Sequence, residues 1–337
     1  MVWKVGYSMA NIQEVAKKAG VSVATVSRVL NHHPSVTPKT RVKVENAIRE
    51  LNYEPSMLGR NLRNSESRLL LVLIPSISNP FYTEIINGIQ TTAIKHRYNI
   101  LLCETNSDSR RENIFFNMVK NKLADGIISM DPTINRQKLT ELAEHHSVIL
   151  CSEYMEDGSI PYVTIDNERA AYQAVKHLII LGKKKVALIN SDERFLYARQ
   201  RRRGYEKALM EFGLPITDAF IYNTNELNFH DGVQAMRMLL RTVEKPTAVF
   251  AVSDTLAIGA LKEINASGLK APEDIAVVGF DNISFSNMSN PTLTTIAQPM
   301  YKMGATAATM LINQIQNKQV ESIVLEHELI IRESTMG

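Results

Sequence analysis

Cysteine is scarce in this chain of 337 residues, which contains only Cys103 and Cys151. Two cysteines cannot supply the disulfide framework of a small secreted domain, and they are too few to form a structural zinc site by themselves. The neighbouring His145 and His146 have no companions at metal-binding spacing, so a solvated helix end is the simpler interpretation. The sequence predicts no bound metal and a reducing compartment.

Long hydrophobic runs are also missing. No apolar stretch reaches the roughly 18 residues that a membrane-spanning helix needs, and the first residues lack the apolar core and cleavage site of a secretory signal. Apolar residues still make up 45% of the chain and charged residues 22%, which is typical of globular proteins. We expect a cytoplasmic protein of two or three domains that does not associate with membranes.

Familiar catalytic and cofactor motifs are absent as well. The sequence contains no GxGxxG, GxxxxGK[ST], GxSxG or HExxH pattern. We therefore predict no enzyme activity, no catalytic residues and no cofactor. A two-lobed α/β enzyme or a solute-binding protein that acts on sugars is the alternative from another functional class.

Charge is distributed unevenly along the chain. Residues 1–64 hold ten Lys and Arg against four Glu, a net charge of +6. Because the whole chain has a net charge of +3, the remaining residues carry −3. This asymmetry predicts that the N-terminal segment binds a polyanion and that the rest of the chain has a different function.

Three short helices are predicted in the basic segment. Apolar residues recur at helical spacing in residues 12–19, 23–30 and 38–51. Gly20 can end the first helix and Ser22 can cap the second. Two short helices joined by a Gly-containing turn form a helix-turn-helix, whose second helix enters the major groove of DNA. A small helical bundle with solvated charged faces is the alternative that periodicity leaves open.

The start of the second helix supplies the candidate DNA contacts. Val23 and Ala24 would face the bases, where apolar side chains can contact a thymine methyl group. The predicted phosphate and base-edge contacts are Ser22, Thr25, Ser27, Arg28 and Asn31.

The runs NIQEVAKKAGVSVATVSRVLN and VTPKTRVKVENAIRELNYEPS resemble the headpiece of the LacI/GalR family of bacterial transcriptional repressors. The pattern extends over the whole chain. In that family the residues at the positions of Val23 and Ala24 determine which operator sequence is bound. Thr25, Ser27, Arg28 and Asn31 match positions that recurrently contact DNA. The implied domains are an N-terminal extension (1–8), a headpiece (9–55), a hinge helix or linker (56–67) and an effector-binding and dimerisation core (68–337).

Residues 55–63, PSMLGRNLR, match the hinge of the family, which becomes helical on operator DNA. The resemblance implies that Leu62 wedges into the minor groove, flanked by Arg60 and Arg63. Such a wedge unstacks a base step at a cost of about a few kcal/mol, which wider contact offsets. Packing of Leu62 against the core is the alternative.

Strands and helices alternate from Leu69 onward. This alternation predicts parallel sheets wound by crossover helices. The length favours two α/β lobes, the architecture of periplasmic binding proteins that the core of the family resembles. The predicted strands are 69–75, 99–103, 126–130, 148–151, 186–190, 248–252 and 275–280.

Ligands of parallel α/β sheets bind beyond the carboxyl ends of the strands, so residues after the predicted strands are pocket candidates. The resemblance adds Arg201, three residues before Gly204, at the position of the ligand-binding arginine of the family. It also marks Ser253, where relatives often have a longer Asn. The candidates after strands are Asn79, Phe81, Tyr82, Asp131, Glu153, Ser253, Asp254, Asp281 and Gln298.

The candidate charges favour a neutral effector. Arg201 can donate to hydroxyl groups and Asp281 can accept from them, whereas an anion would face Asp254 and Asp281. We expect a sugar or a cyclitol such as inositol. The stretches GRNLRNSESRLLLVLIP, LTTIAQP and ELIIRES resemble the cytidine-responsive branch of the family, so a nucleoside is the alternative.

The resemblance implies a homodimer on a near-palindromic operator, because two-fold protein symmetry requires matching half-sites. It implies release of DNA when the effector binds, although the residues equally allow a co-repressor. The leucine-rich tetramerising tail of some relatives is not found after ELIIREST, which favours a dimer.

Overall fold

The computed structural model describes residues 10–30, 32–53, 66–132 and 135–336. The chain divides into two compact units, Met1–Glu66 and Ser67–Gly337. The proposed extension and residues 56–65 of the hinge, with Arg60, Leu62 and Arg63, lie outside the described residues, and so does Asn31. The limits of extension, headpiece and hinge stay predictions. No helix in the described ranges is long and apolar enough to cross a membrane.

The N-terminal unit is a three-helix bundle of α1 (Ile12–Ala19), α2 (Val23–Leu30) and α3 (Pro38–Glu50). Asn11 accepts the N–H groups of Gln13 and Glu14, and the Glu14 carboxylate accepts the Asn11 N–H at 2.9 Å. This capping box starts α1. Gly20, with φ of 65°, ends it in the left-handed conformation that glycine adopts most easily.

The three helices bury a small apolar core. Val26 and Val29, on the inner face of α2, are buried. They meet residues from both other helices, so the bundle is stabilised by one shared cluster rather than by isolated helices. The buried members are Val15, Ala16, Val26, Val29, Val44 and Ala47.

The second unit begins with alternating strands and helices, as predicted. The first strand, LLLVLI, is apolar throughout because both its faces are covered. The elements up to residue 165 are β1 (Leu69–Ile74), α4 (Phe81–Lys95), β2 (Asn99–Glu104), α5 (Ser109–Lys120), β3 (Gly126–Ser129), α6 (Arg136–Ala143), β4 (Ser147–Cys151) and β5 (Tyr162–Ile165).

The next part of the chain repeats this alternation. Its first helix is capped by Asp166, whose carboxylate accepts the Arg169 N–H at 2.9 Å. The elements up to residue 297 are α7 (Asn167–Ile180), β6 (Val186–Asn190), α8 (Leu196–Glu211), β7 (Ile221–Asn223), α9 (Phe229–Leu239), β8 (Ala248–Ala251), α10 (Asp254–Ala266), β9 (Ala276–Asp281) and β10 (Thr294–Ala297).

The last elements are α11 (Met300–Ile315), β11 (Ile323–Leu325) and β12 (Glu328–Ile330). The described strands form two six-stranded sheets, in the orders β11-β5-β4-β3-β1-β2 and β12-β10-β9-β8-β6-β7. We call the parts built on them lobe 1 and lobe 2. All pairings are parallel except β10 with β12. The two-lobed α/β core is therefore confirmed.

The chain passes between the lobes after β5, after β10 and between β11 and β12. Because α11 packs against α4, a helix that follows a lobe 2 strand completes lobe 1. The two helices cross at glycines: a Cβ atom on Gly88 would lie 2.1 Å from the Tyr301 oxygen, and one on Gly304 would lie 1.9 Å from the Ile85 oxygen. Only residues without a side chain allow this approach.

Candidate functional site

The outer face of α2 presents the predicted DNA contacts. Ser22, Val23, Ala24 and Arg28 are exposed, while the inner residues of the helix are buried. Ser22 also caps α2, since its Oγ accepts the Thr25 N–H at 3.2 Å. The structure therefore places most predicted contacts on one accessible face at the start of the helix, where a helix-turn-helix reads base edges.

A cleft of about 990 Å³ separates lobe 1 from lobe 2. Its volume suits a small organic molecule. Most of its lining is hydroxyl, amide, aromatic or aliphatic. The lining residues are Pro75, Ser76, Ser78, Asn79, Pro80, Tyr82, Asn106, Ser107, Met130 and Glu153 from lobe 1, and Ser191, Arg194, Phe195, Tyr197, 225–229, Thr255, Ile258, Ile283, Phe285, Met288 and Ser289 from lobe 2.

The loop after β1 supplies the lobe 1 side of the cleft. The Asn79 Oδ1 accepts the Phe81 N–H at 3.0 Å, which holds the start of α4 against the cleft. Tyr82 lines the cleft, whereas Phe81 is buried behind it and packs edge-to-face on the Tyr82 ring at 5.2 Å. Burial is the main cause that raises the pKa of Tyr82, so its hydroxyl stays protonated and can donate.

Arg201 lies behind the lobe 2 wall and is 4% exposed. Its Nε donates to the Asn167 Oδ1 at 2.9 Å, and its Nη1 donates to the Val252 oxygen at 2.5 Å. The guanidinium lies 3.6 Å from the centroid of the Phe280 ring and 4.9 Å from that of Tyr197, which lines the cleft. The buried guanidinium is thus held by protein groups on several sides.

Asp281 and Gln298 complete this cluster. The Gln298 Nε2 donates to the Asp281 Oδ1 at 2.7 Å, and the same oxygen lies 3.8 Å from Arg201 Nη1. Burial raises the pKa of Asp281 even though Arg201 lowers it. Asp281 has a φ of 112°, a rare conformation for a residue with a side chain, and such strain is common at functional sites.

Ser253 and Asp254 face the protein interior. Ser253 caps α10, because its Oγ accepts the Leu256 N–H at 3.2 Å. The Asp254 carboxylate, fully buried, accepts three hydrogen bonds, from the Ile283 N–H at 2.9 Å and from the Ser286 and Thr295 hydroxyls at 2.5 Å each. Neither residue lines the cleft, so the structure gives both a local anchoring role, and their contact with the effector stays a prediction.

Glu153 joins the two lobes at the cleft. Its Oε2 accepts the Leu196 N–H and its Oε1 accepts the Tyr197 N–H, each at 2.9 Å. These are the first residues of α8, whose N-cap, Phe195, makes no side-chain capping bond. A carboxylate from lobe 1 therefore caps a helix of lobe 2. Burial is the largest cause that raises the pKa of Glu153, to about 7.

Three of the described residues that line the cleft carry charge, and each has a partner. Besides the bonds of Glu153, Arg194 pairs with Asp192 at 3.3 Å, and the Glu226 carboxylate accepts from the Asn228 side chain at 2.9 Å. The remaining predicted residue, Asp131, is 1% exposed and accepts from the Ser107 hydroxyl. The cleft is thus lined mainly by neutral groups.

The sequence reasoning missed several residues of the cleft. Tyr197 lies one helical turn before Arg201, so its place on the same face of α8 was available from spacing. Ser107 comes soon after β2, where the strand-end rule could have found it. Residues 225–229 lie between β7, a strand of three residues with little sequence signal, and the start of α9.

Comparison with known families identifies the chain. Residues 67–333 match the periplasmic binding proteins and sugar binding domain of the LacI family, and residues 11–56 match the lacI family of bacterial regulatory proteins. The chain belongs to the LacI family. It is a ligand-responsive transcriptional repressor and not an enzyme, in agreement with the sequence prediction.

Full-length relatives support this membership. The transcriptional repressor CytR of Escherichia coli strain K12 is 38% identical over 329 residues, which cover 97% of this chain and 96% of CytR. Catabolite control protein A of Priestia megaterium is 37% identical over 328 residues, 96% of this chain and 98% of that protein. Repressors of this family bind operator DNA and small effectors and act as dimers.

Solved structures show the same fold. The lac repressor dimer bound to operator and the anti-inducer ONPF is similar with a TM-score of 0.88 at 26% identity, covering 97% of this chain and 99% of that one. The regulator CelR in complex with cellobiose is similar with a TM-score of 0.73 at 28% identity, covering 96% and 99%. The predicted family and fold class are confirmed.

Proposed function

We propose that this repressor binds a near-palindromic operator as a homodimer and releases it when a small neutral sugar or cyclitol occupies the cleft. The observation that carries the effector class is the lining of the cleft, which combines hydroxyl and amide groups with aromatic rings and in which each charged residue has a protein partner. Polyols need paired donors and acceptors together with flat apolar surfaces. The sugar complex of CelR supports the same class.

The proposed contacts with operator DNA are made mainly by α2. Val23 and Ala24 would read the bases, and Ser22, Thr25, Ser27, Arg28 and Asn31 would hold the DNA backbone or neighbouring edges. The roles of Arg60 and Leu62 in a hinge on the minor groove are carried by the family resemblance. Operator binding would place the protein in the cytoplasm, with the bacterial DNA.

The proposed effector site consists of residues that line the cleft or lie directly behind its lining. Asn79, Tyr82 and Glu153 line it, and Phe81 supports Tyr82. Arg201, Asp281 and Gln298 form the cluster behind Tyr197, and Asp131 stands behind Ser107. Movement of Tyr197 on effector binding would expose the Arg201 cluster. Ser253 and Asp254 would then act by anchoring the loops around it.

A nucleoside is the second candidate effector. Aromatic rings from both lobes line the cleft, among them Tyr82, Phe195 and Tyr197, and the last two stack on each other with centroids 5.6 Å apart. A nucleobase can stack on such rings, while its ribose offers hydroxyl groups.

A thermal-shift screen tests the effector class. The probes are cellobiose, myo-inositol, D-glucose, cytidine and D-glucose 6-phosphate. A compound that binds only the folded protein stabilises it by about 2.7 kcal/mol at a hundred times its dissociation constant. We expect a neutral polyol to raise the melting temperature and the phosphate to leave it unchanged. A shift with cytidine alone would select the nucleoside, and a shift with only the phosphate would contradict a neutral effector.

A pair of variants locates the binding site. Tyr82→Ala removes an aromatic ring from the cleft, while Tyr301→Ala removes one that is 45% exposed on α11 outside it. The shift should disappear in the first variant and persist in the second.

A further inference from the structure

A series of polar side chains leads from the cleft into lobe 1. Ser107, which lines the cleft, lies in the loop after β2, Asp131 follows β3, and Glu112 lies on α5. Because β2 and β3 flank β1 in a parallel sheet, the loops that follow them meet at one edge. Asp131 is 1% exposed and Glu112 is 2% exposed, so Ser107 is the member of this series that reaches the cleft.

The hydrogen bond between Ser107 and Asp131 has a fixed direction. The Ser107 Oγ lies 2.5 Å from the Asp131 Oδ2. An ionised carboxylate can only accept hydrogen bonds, whereas a hydroxyl has one hydrogen to donate and two lone pairs. The hydrogen of Ser107 is therefore used by Asp131, and its Oγ can offer only lone pairs to the cleft.

A second buried acid, Glu112, interacts electrostatically with Asp131. Burial, followed by the negative charge of Asp131, raises the pKa of Glu112 to about 7. The Glu112 Oε2 is buried and has no hydrogen-bond partner among the described residues. When Glu112 ionises, its charge adds to the negative potential behind Ser107.

The loop that carries Ser107 is held in an uncommon conformation. Asn106 and Ser107 have φ values of 50° and 49°, and neither is glycine. The Asn106 N–H donates to the Pro75 oxygen at 2.9 Å, and the Ser107 N–H donates to the Thr105 Oγ1 at 3.3 Å. Strained backbone that surrounding bonds maintain is typical of functional positions. The bonds keep the Ser107 hydroxyl between Asp131 and the cleft.

We propose that Ser107 is a specificity-determining residue that selects effectors presenting an O–H or N–H donor to lobe 1, because Asp131 makes its hydroxyl an acceptor only. A hydroxyl or amino group satisfies Ser107, whereas a carboxylate, a phosphate or an acceptor without hydrogen does not. This inference rests on the proposed function, since it assumes that the effector occupies the cleft.

Replacing Asp131 reverses the polarity of Ser107. In Asp131→Asn the amide has nearly the same shape and can donate to the Ser107 Oγ, so the hydroxyl hydrogen is free to turn toward the cleft. Ser107→Ala removes the group altogether. Asp108→Asn is the matched control, because it removes the charge of the adjacent residue, whose carboxylate accepts from Arg110 and caps α5, whereas the Ser107 hydroxyl donates to Asp131. Thermal melts establish that each variant is folded.

The experiment is a fluorine scan by isothermal titration calorimetry. The probes are myo-inositol, D-glucose and cytidine with their single deoxyfluoro analogues, in which fluorine replaces one donor hydroxyl. At the position that faces Ser107, we expect fluorine to weaken binding about tenfold in the wild type and in Asp108→Asn. The loss should fall below about threefold in Asp131→Asn and in Ser107→Ala.

The outcomes separate the two claims. If a parent probe binds and releases operator DNA but the fluorine profile of Asp131→Asn and Ser107→Ala equals that of the wild type, the assignment of Ser107 is wrong while the proposed function stands. If no parent probe binds the wild type, the proposed effector class fails and the assignment fails with it.

Discussion

The carboxylate of Glu153, which follows a strand of lobe 1, accepts the backbone N–H of Tyr197, the second residue of a helix in lobe 2, at 2.9 Å. This bond places a connection between the lobes at the wall of the cleft. An effector that enters beside Tyr197 can strengthen or break it. A ligand changes the angle between the lobes only through a difference in its affinity for the two arrangements, and this bond is one place where such a difference can arise.

Glu153→Ala should destabilise the second unit by about 1–3 kcal/mol, because it leaves the buried N–H groups at the start of α8 without an acceptor. Urea unfolding followed by circular dichroism measures this change. Glu156→Ala is the control, since the side chain of Glu156 is 57% exposed and pairs only loosely with Arg199. Equal stabilities of the two variants would show that the bond contributes little.

The contribution of Glu153 to stability should depend on pH. Its pKa is about 7 in the folded protein, above the ordinary value of 4.5, so the folded state holds this proton more tightly than the unfolded chain. The free energy of unfolding should therefore fall as the pH rises from about 4.5 to about 7, by about 3 kcal/mol at about 1.4 kcal/mol for each pH unit.

Other groups titrate in this range, so the comparison is with Glu153→Gln. The wild type should lose more stability between pH 5 and pH 7.5 than this variant does. Parallel curves, or a steeper loss in the variant, would contradict the burial of an ionisable Glu153.

Gly204→Ala should destabilise the second unit by about 1–3 kcal/mol through overpacking. A Cβ atom at Gly204 would lie 2.2 Å from the Glu168 oxygen of α7, so the two helices would have to separate and carry Arg201 with them. Lys207→Ala changes an exposed side chain of the same helix and should cost less than about 0.5 kcal/mol. Chemical denaturation of both variants distinguishes a close helix crossing from a general intolerance of α8.

Exchange of Val23 and Ala24 for the pair found in a relative with a different operator should change DNA sequence preference but not effector binding. Both residues lie on the exposed face of α2, and the effector cleft lies in the other compact unit. Selection of operators from a random DNA library measures the preference, and the thermal shift with the effector is the control. An unchanged operator would remove these two side chains from base readout.

Sequence reasoning succeeded where the signal is local. The capping residues and the apolar spacing of α1 and α2 lie within or next to each helix. The continuous apolar run of β1 likewise indicates a strand that is covered on both faces. It missed β11, a strand of three residues that pairs with β5 although more than 150 residues separate them. This pairing forms because the chain returns to lobe 1 after β10, and no local sequence pattern indicates that return.

In the candidate site, too, local patterns predicted some residues, whereas contacts with distant residues could not be predicted. Asn79, Tyr82 and Glu153 were found because the ends of parallel strands meet at one edge, and all three line the cleft. The environment of Asp254 could not be predicted, since its three donors come from residues that follow it by about thirty to forty positions. Whether a carboxylate faces the cleft or is saturated inside the protein depends on these distant partners.

Release of operator DNA tests the central claim most directly. A labelled operator, bound to the dimer, is titrated with the neutral polyol that gives the largest thermal shift, and DNA binding is followed by fluorescence anisotropy. We predict that the compound releases DNA from the wild type and from Tyr301→Ala, while Tyr82→Ala keeps its operator at every concentration. Release that is equally efficient in Tyr82→Ala, or tighter operator binding in the presence of the compound, would contradict induction through the cleft.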